Sequence, residues 1–222
     1  MPDLKSLNGP AQAPANGGAP SQLVILLHGL GSDGDDLIGL APHWARVLPG
    51  AEFLAPHAPF ACDRAPMGFQ WFSLTDFSPR EMAQGAEAAA PILNRFIDRA
   101  LERTGLPPSR LALVGFSQGT MMALHVALRR SQPVGAVLGY SGALVGAERL
   151  QAELTARPPI MLIHGDADPV VPLAALHAAL ATLGAAGLSA QFHICPGLGH
   201  GIDPQGLALG GQFLQQTLIQ AG

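Results

Sequence analysis

Short apolar runs recur along this chain, separated by stretches long enough for helices. Most of them are continuous rather than alternating in polarity. They occupy residues 23–27, 51–55, 111–114, 134–138, 160–163 and 190–195. A strand covered on one side only alternates apolar with polar residues. A strand apolar on both sides belongs in a parallel sheet whose crossover helices lie over both faces. The intervening stretches carry matching helix signals. Ser78-Pro79-Arg80-Glu81 is a capping box with proline at the first helical position. After it Met82, Ala86, Ala89, Leu93, Ile97 and Leu101 fall near one helical face, and Pro91 inside the stretch predicts a kink. Residues 118–130, 172–183 and 204–220 predict further helices, two of them opened by Pro172 and Pro204. Strands alternating with helices predict an α/β doubly wound sheet.

The chain is 222 residues long with no internal repeat or linker, which suits one domain over residues 21–222. Residues 1–20, rich in Pro, Gly, Ala and Asn, predict a tail that is flexible or laid on the surface. Twelve basic against sixteen acidic residues leave a net charge of −4, so no basic field exists to hold nucleic acid. Cys62 and Cys195 are the only cysteines and form no C-x-x-C pair. That argues against a disulfide framework and a structural zinc site, and predicts free thiols. The apolar run at 23–27 is too short to span a bilayer, and the first residues lack the pattern of a signal peptide. The expectation is a cytoplasmic protein with no membrane segment.

Gly115-Phe116-Ser117-Gln118-Gly119 fits G-x-S-x-G. The five-residue pattern is common by chance, but here a strand run precedes it at once and a helical run follows. That context predicts a tight strand–turn–helix elbow carrying a strained serine, with glycines at 115 and 119 where side chains would collide. The helix N-terminus beneath Ser117 favours developing negative charge. A Gly-Ser turn that merely caps a helix is the plainer alternative.

A serine nucleophile needs a base, and the base needs an acid to orient it. Among eight histidines, His43, His125 and His177 fall within helical stretches, while His28 and His164 close strand runs beside glycine and suit packing or turn roles. His200 lies in Pro196-Gly197-Leu198-Gly199-His200-Gly201, a loop at a strand's carboxyl end that can reach the elbow. For the acid, Asp166 and Asp168 compete after the 160–163 run. Asp166 directly follows Gly165 and suits binding turn amides; Asp168, before Pro169, suits a carboxylate aimed at His200. The oxyanion hole calls for two backbone N–H groups. Gln118 supplies one, and Leu30, in Leu27-His28-Gly29-Leu30-Gly31, supplies the other. Around them Met67, Phe69, Trp71 and Phe72 form the expected apolar, substrate-binding wall.

Taken together, these residues resemble the phospholipase/carboxylesterase family of α/β-hydrolases, the group holding acyl-protein thioesterases and bacterial carboxylesterases. The resemblance runs from about residue 21 onward. It rests on Leu27-His28-Gly29-Leu30-Gly31 with Asp33-Gly34-Asp35-Asp36, on Pro56-His57-Ala58-Pro59, Gly68 and Trp71-Phe72, on the elbow, on His164-Gly165-Asp166-Ala167-Asp168-Pro169-Val170-Val171-Pro172, and on Gly199-His200. One departure is Ser73, where the family often has an acidic residue. The resemblance implies an α/β-hydrolase fold, a mostly parallel central sheet with helices on both faces. It also implies the catalytic residues Ser117, Asp168 and His200 in that chain order, Leu30 and Gln118 as oxyanion hole, and no cofactor or metal. It further implies a small-molecule ester or thioester substrate and a possible homodimer. The expected activity is a serine carboxylesterase for short- to medium-chain esters, with an acyl-protein thioesterase or lysophospholipase as alternatives. A catalytically silent binding module on the same scaffold is the reading of another class.

Overall fold

The structure, a computed structural model, describes residues 5–75 and 78–219. In chain order the strands are β1 (Ala11–Gln12), β2 (Gln22–Leu27), β3 (Ala51–Leu54), β4 (Phe60–Ala61), β5 (Phe69–Gln70), β6 (Leu111–Phe116), β7 (Ala136–Tyr140), β8 (Ile160–Gly165) and β9 (Ala190–Cys195). The helices are α1 (Gly34–Leu37), α2 (Ala41–Trp44), α3 (Pro79–Thr104), α4 (Gln118–Ala127), α5 (Leu150–Glu153), α6 (Ala174–Ala185) and α7 (Pro204–Ile219).

Seven strands form one sheet in the order β1-β3-β2-β6-β7-β8-β9, parallel throughout except for β1. Leu23 to Leu27 are all fully buried, as the continuous run requires. Alternate residues serve opposite faces. Leu23, Ile25 and Leu27 join a cluster with Leu93, Ile97 and Leu124 from α3 and α4. Val24 and Leu26 join another with Trp44, Phe213 and Leu214 from α2 and α7. Burying each such side chain stabilises the fold by about 1.5–3 kcal/mol, so a one-residue register slip is disfavoured across the sheet.

Ser78 caps α3 by accepting from the Glu81 N–H at 3.1 Å, and Gly105 closes it in a left-handed conformation. The helix runs through Pro91 as one element, with that residue exposed. The sheet also reaches into the segment expected to be a tail: Ala11 and Gln12 pair antiparallel with Leu54 and Phe53. Cys62 and Cys195 are unpaired. Among the described residues, no helix is long and apolar enough to cross a membrane.

The chain lays β3 on one side of β2 and β6 on the other, and that reversal places the site. At such a switch point the loops leaving neighbouring strands diverge and open a crevice at their carboxyl ends. Leu27 pairs in register with Gly115, so the loop after β2 and the turn after β6 emerge side by side.

Candidate active site

Ser117 stands between β6 and α4 with φ 54° and ψ −116°, a conformation that costs a non-glycine residue on the order of 1–3 kcal/mol. Its neighbours hold it there. A Cβ on Gly119 would lie 1.8 Å from the Leu27 carbonyl oxygen, and one on Gly115 2.3 Å from the Thr120 nitrogen. Thr120 Oγ1 donates between the carbonyls of Gly115 and Tyr140, at 2.8 and 2.9 Å, and the Ser117 N–H donates to Tyr140 at 2.9 Å.

Past the end of β8, the two candidate acids do different things. Asp166 Oδ1 accepts from the Gly197 N–H at 2.6 Å, tying down the loop after β9. Asp168, whose side chain is fully buried, accepts from the Val170 and Val171 N–H groups through Oδ1, at 2.8 and 2.9 Å. Its Oδ2 lies 2.7 Å from His200 Nδ1. A carboxylate only accepts, so Nδ1 carries the proton and Nε2 keeps a lone pair for proton abstraction. Burial alone would raise the Asp168 pKa, but the bonds from His200, Val171 and Val170 outweigh it and hold the carboxyl below its usual range. His164 Nε2, 2.8 Å from the Val171 carbonyl, braces the same turn. The His200 ring leans on Phe116, centroids 4.8 Å apart, and Ser141 Oγ donates to the Gly201 carbonyl at 3.3 Å.

Ser117, His200, Leu30 and Gln118 line one cavity of about 390 Å³, within the usual range for small-ligand pockets. The Leu30 and Gln118 N–H groups donate to no other described residue. The apolar wall differs from the sequence expectation. Leu74, Met82, Met121, Val170, Val171 and Pro172 line the cavity; Met67, Phe69, Trp71 and Phe72 do not. Trp71 is fully buried, with its backbone N–H on Gln118 Oε1 at 2.9 Å and its Nε1–H on the His28 carbonyl at 3.0 Å. Phe72 is buried against Gly85 of α3, and its carbonyl accepts from Gln118 Nε2 at 2.8 Å. Phe69 packs on the His57 ring at 5.1 Å between centroids, and Met67 is 80% exposed. Of these aromatics, Trp71 and Phe69 brace the loop at residues 28–31, through Trp71 Nε1 on the His28 carbonyl and the Gly31 N–H on the Phe69 carbonyl. The wall that sequence reasoning missed had a readable signal in part: Val170 and Val171 follow Asp168 directly, and Met121 lies one helical turn beyond Ser117.

Ser73 donates to the carboxylate of Asp63, whose pKa is lowered by this bond and by one to Gln70. A carboxylate therefore stands beside Ser73, contributed by Asp63. Asp33, Asp35 and His57 gather their ligand atoms within 4.8 Å, but two are already engaged. Asp33 accepts from the Asp36 N–H at 2.9 Å, and His57 Nδ1 accepts from the Gly34 N–H at 3.1 Å.

A model of the phospholipase/carboxylesterase family matches residues 11–218 of the chain. Acyl-protein thioesterase 1 of Gibberella zeae is 27% identical over 212 residues, spanning 88% of this chain and 90% of that protein. Acyl-protein thioesterase 1 homolog 1 of Dictyostelium discoideum is 28% identical over 206 residues, 89% of this chain and 91% of its own. Among solved structures, esterase PE8 superposes with a TM-score of 0.92 at 42% identity, covering 96% of this chain and all of its own.

Proposed function

Because the chain belongs to the phospholipase/carboxylesterase family and is an α/β-fold hydrolase, we propose that it is a serine carboxylesterase that cleaves short- to medium-chain esters through an acyl-enzyme intermediate. The observation that carries this reading is the apolar cavity lined by Ser117, His200, Leu30 and Gln118, the last two with backbone N–H groups that have no partner among the described residues. His200 Nε2 takes the Ser117 proton as Oγ attacks the ester carbonyl carbon. The carbonyl oxygen becomes an oxyanion held by the Leu30 and Gln118 N–H groups. His200 then gives its proton to the departing alcohol oxygen, leaving the acyl group on Ser117. Water, deprotonated by the same His200, attacks that acyl carbon and restores the serine. Asp168 keeps the imidazole in the Nδ1–H tautomer and stabilises its protonated form. This mechanism asks for no metal or cofactor. The same reading keeps residues 21–222 as one catalytic domain, with Ala11 and Gln12 laid along its sheet edge.

The cavity wall is aliphatic and thioether in character and favours acyl chains longer than acetyl. Each buried methylene is worth about 0.8 kcal/mol, so two added carbons give roughly tenfold in kcat/KM. The alternative, an acyl-protein thioesterase, is favoured by the names of the Gibberella and Dictyostelium relatives. A panel of p-nitrophenyl esters from acetate to dodecanoate, with matched thioesters, separates the two. The carboxylesterase reading expects butyrate to octanoate to lead and oxygen esters to exceed thioesters at equal chain length. Faster thioester turnover at every length would reverse it.

A further inference from the structure

His28 directly follows β2 and is completely buried, yet it takes no part in proton transfer at Ser117. Its ring makes two hydrogen bonds with opposite demands. Nε2 lies 2.9 Å from the Ala58 nitrogen, a group that can only donate, so Nε2 accepts and carries no proton. The neutral ring's proton is therefore on Nδ1, which lies 2.7 Å from the Gly29 carbonyl oxygen and donates to it. The Ser32 N–H reinforces that carbonyl at 3.3 Å.

Gly29 O and Leu30 N belong to one peptide unit. In a trans peptide the C=O and N–H bonds point in opposite directions, so fixing the oxygen fixes the direction of the hydrogen. Held by His28 on one side, the unit turns the Leu30 N–H the other way, and it is that N–H which has no partner among the described residues. The peptide also sits against the elbow: a Cβ on Gly29 would lie 3.3 Å from Ser117 Cβ. A flipped unit would direct the Gly29 oxygen, rather than an N–H, at a developing oxyanion.

We infer that His28 is a positioning residue of the oxyanion hole, whose Nδ1–H locks the Gly29–Leu30 peptide so that the Leu30 N–H faces Ser117. The inference rests on the assignment of Leu30 to the oxyanion hole made above. Burial lowers the pKa of the ring despite the Gly29 carbonyl, Asp33 and Asp36, which favour its charged form, and His57 adds to the lowering. A neutral ring is what both hydrogen bonds need. The His28 carbonyl is held in turn by Trp71 Nε1, which gives that buried tryptophan a part in the same framework.

Two substitutions separate the two bonds. In His28→Gln the side-chain oxygen replaces Nε2 as acceptor for Ala58, and the donor to Gly29 is lost. In His28→Asn the side-chain NH₂ replaces Nδ1 as donor to Gly29, and the bond to Ala58 is lost. The probes are an octanoyl-chain ester, an alkyl trifluoromethyl ketone that forms a hemiketal oxyanion on Ser117, and the matching methyl ketone as a ground-state ligand. His28→Gln should lose about 10²–10³-fold in kcat, the scale of one oxyanion donor. Its trifluoromethyl-ketone affinity should fall by a similar factor, with little change in KM or methyl-ketone affinity. His28→Asn should recover most of that loss. Equal losses in both variants, or losses confined to KM and thermal stability, would overturn the role. The wild-type protein supplies a check independent of folding in the variants: nitrogen-15 imidazole shifts should show His28 as a neutral Nδ1–H tautomer, and an Nε2–H tautomer would overturn the inference. A wild type that neither hydrolyses the ester nor binds the trifluoromethyl ketone defeats the active-site reading itself. A wild type that does both, beside an unimpaired His28→Gln, defeats only the assignment to His28.

Discussion

One oxygen of the Asp168 carboxylate lies 2.7 Å from His200 Nδ1, while the other is held by two backbone N–H groups of its own turn. The carboxylate is thus immobilised before it meets the imidazole. Asp166, two residues earlier, spends its oxygen on the Gly197 N–H instead. Asp168→Asn should therefore lower kcat by about 10⁴-fold through the wrong histidine tautomer. Asp166→Asn should act through the stability of the 196–201 loop and leave most of kcat in the folded protein. Ester turnover measured beside circular dichroism checks this; a larger kcat loss in folded Asp166→Asn would transfer the role of acid.

The acyl wall yields a second contrast. Trp71 is fully buried and ties the loop after β2 to Gln118, so Trp71→Ala should cost about 3–5 kcal/mol of stability. Met82 lines the cavity itself. Met82→Trp should reduce octanoate hydrolysis far more than butyrate hydrolysis and move the chain-length optimum downward. An unchanged chain-length profile in folded Met82→Trp would show that acyl chains take another path.

His125 is buried on α4, and its Nδ1 has no hydrogen-bond partner among the described residues. Burial, with Arg129 nearby, lowers its pKa from 6.5 to about 4. The unfolded chain then takes up a proton between those values while the folded one does not. Stability is full above pH 6.5 and falls as the pH drops toward 4, by about 3 kcal/mol from this residue alone. His28, also lowered, acts in the same direction. Asp168 adds a linkage of the same sign in a more acidic window. Its folded pKa lies below its unfolded value, so its contribution is present above that value and is lost only as the pH falls further. Urea midpoints from pH 7.5 to 4 should fall less steeply in His125→Leu than in the wild type. Parallel curves would contradict this.

The central strands β2, β6, β7 and β8 were legible because their apolar runs are continuous. Leu23 to Leu27 are buried on both faces, and nothing but a covered parallel strand accommodates that pattern. The elbow and the Asp168–His200 contact were legible because each residue lies in a turn or loop that leaves such a run. β1 was not, since Ala11 and Gln12 carry no pattern and are held by backbone pairing to β3 alone. The aromatic wall was misread for a tertiary reason. Trp71 and Phe72 look like a pocket rim when only the neighbouring glycine and polar residues are visible. The Gln118 side chain, 46 and 47 residues away in sequence, draws them inward through both hydrogen bonds of its amide.

The central claim is that Ser117 Oγ forms the acyl-enzyme. Its most direct test is intact-protein and peptide mass spectrometry after reaction with a fluorophosphonate probe, with Ser117→Ala alongside. The account predicts one adduct per chain, on Ser117, with ester turnover lost in proportion to labelling and lowered about 10⁶-fold in Ser117→Ala. Labelling at another residue, or substantial turnover remaining in a folded Ser117→Ala, would contradict it.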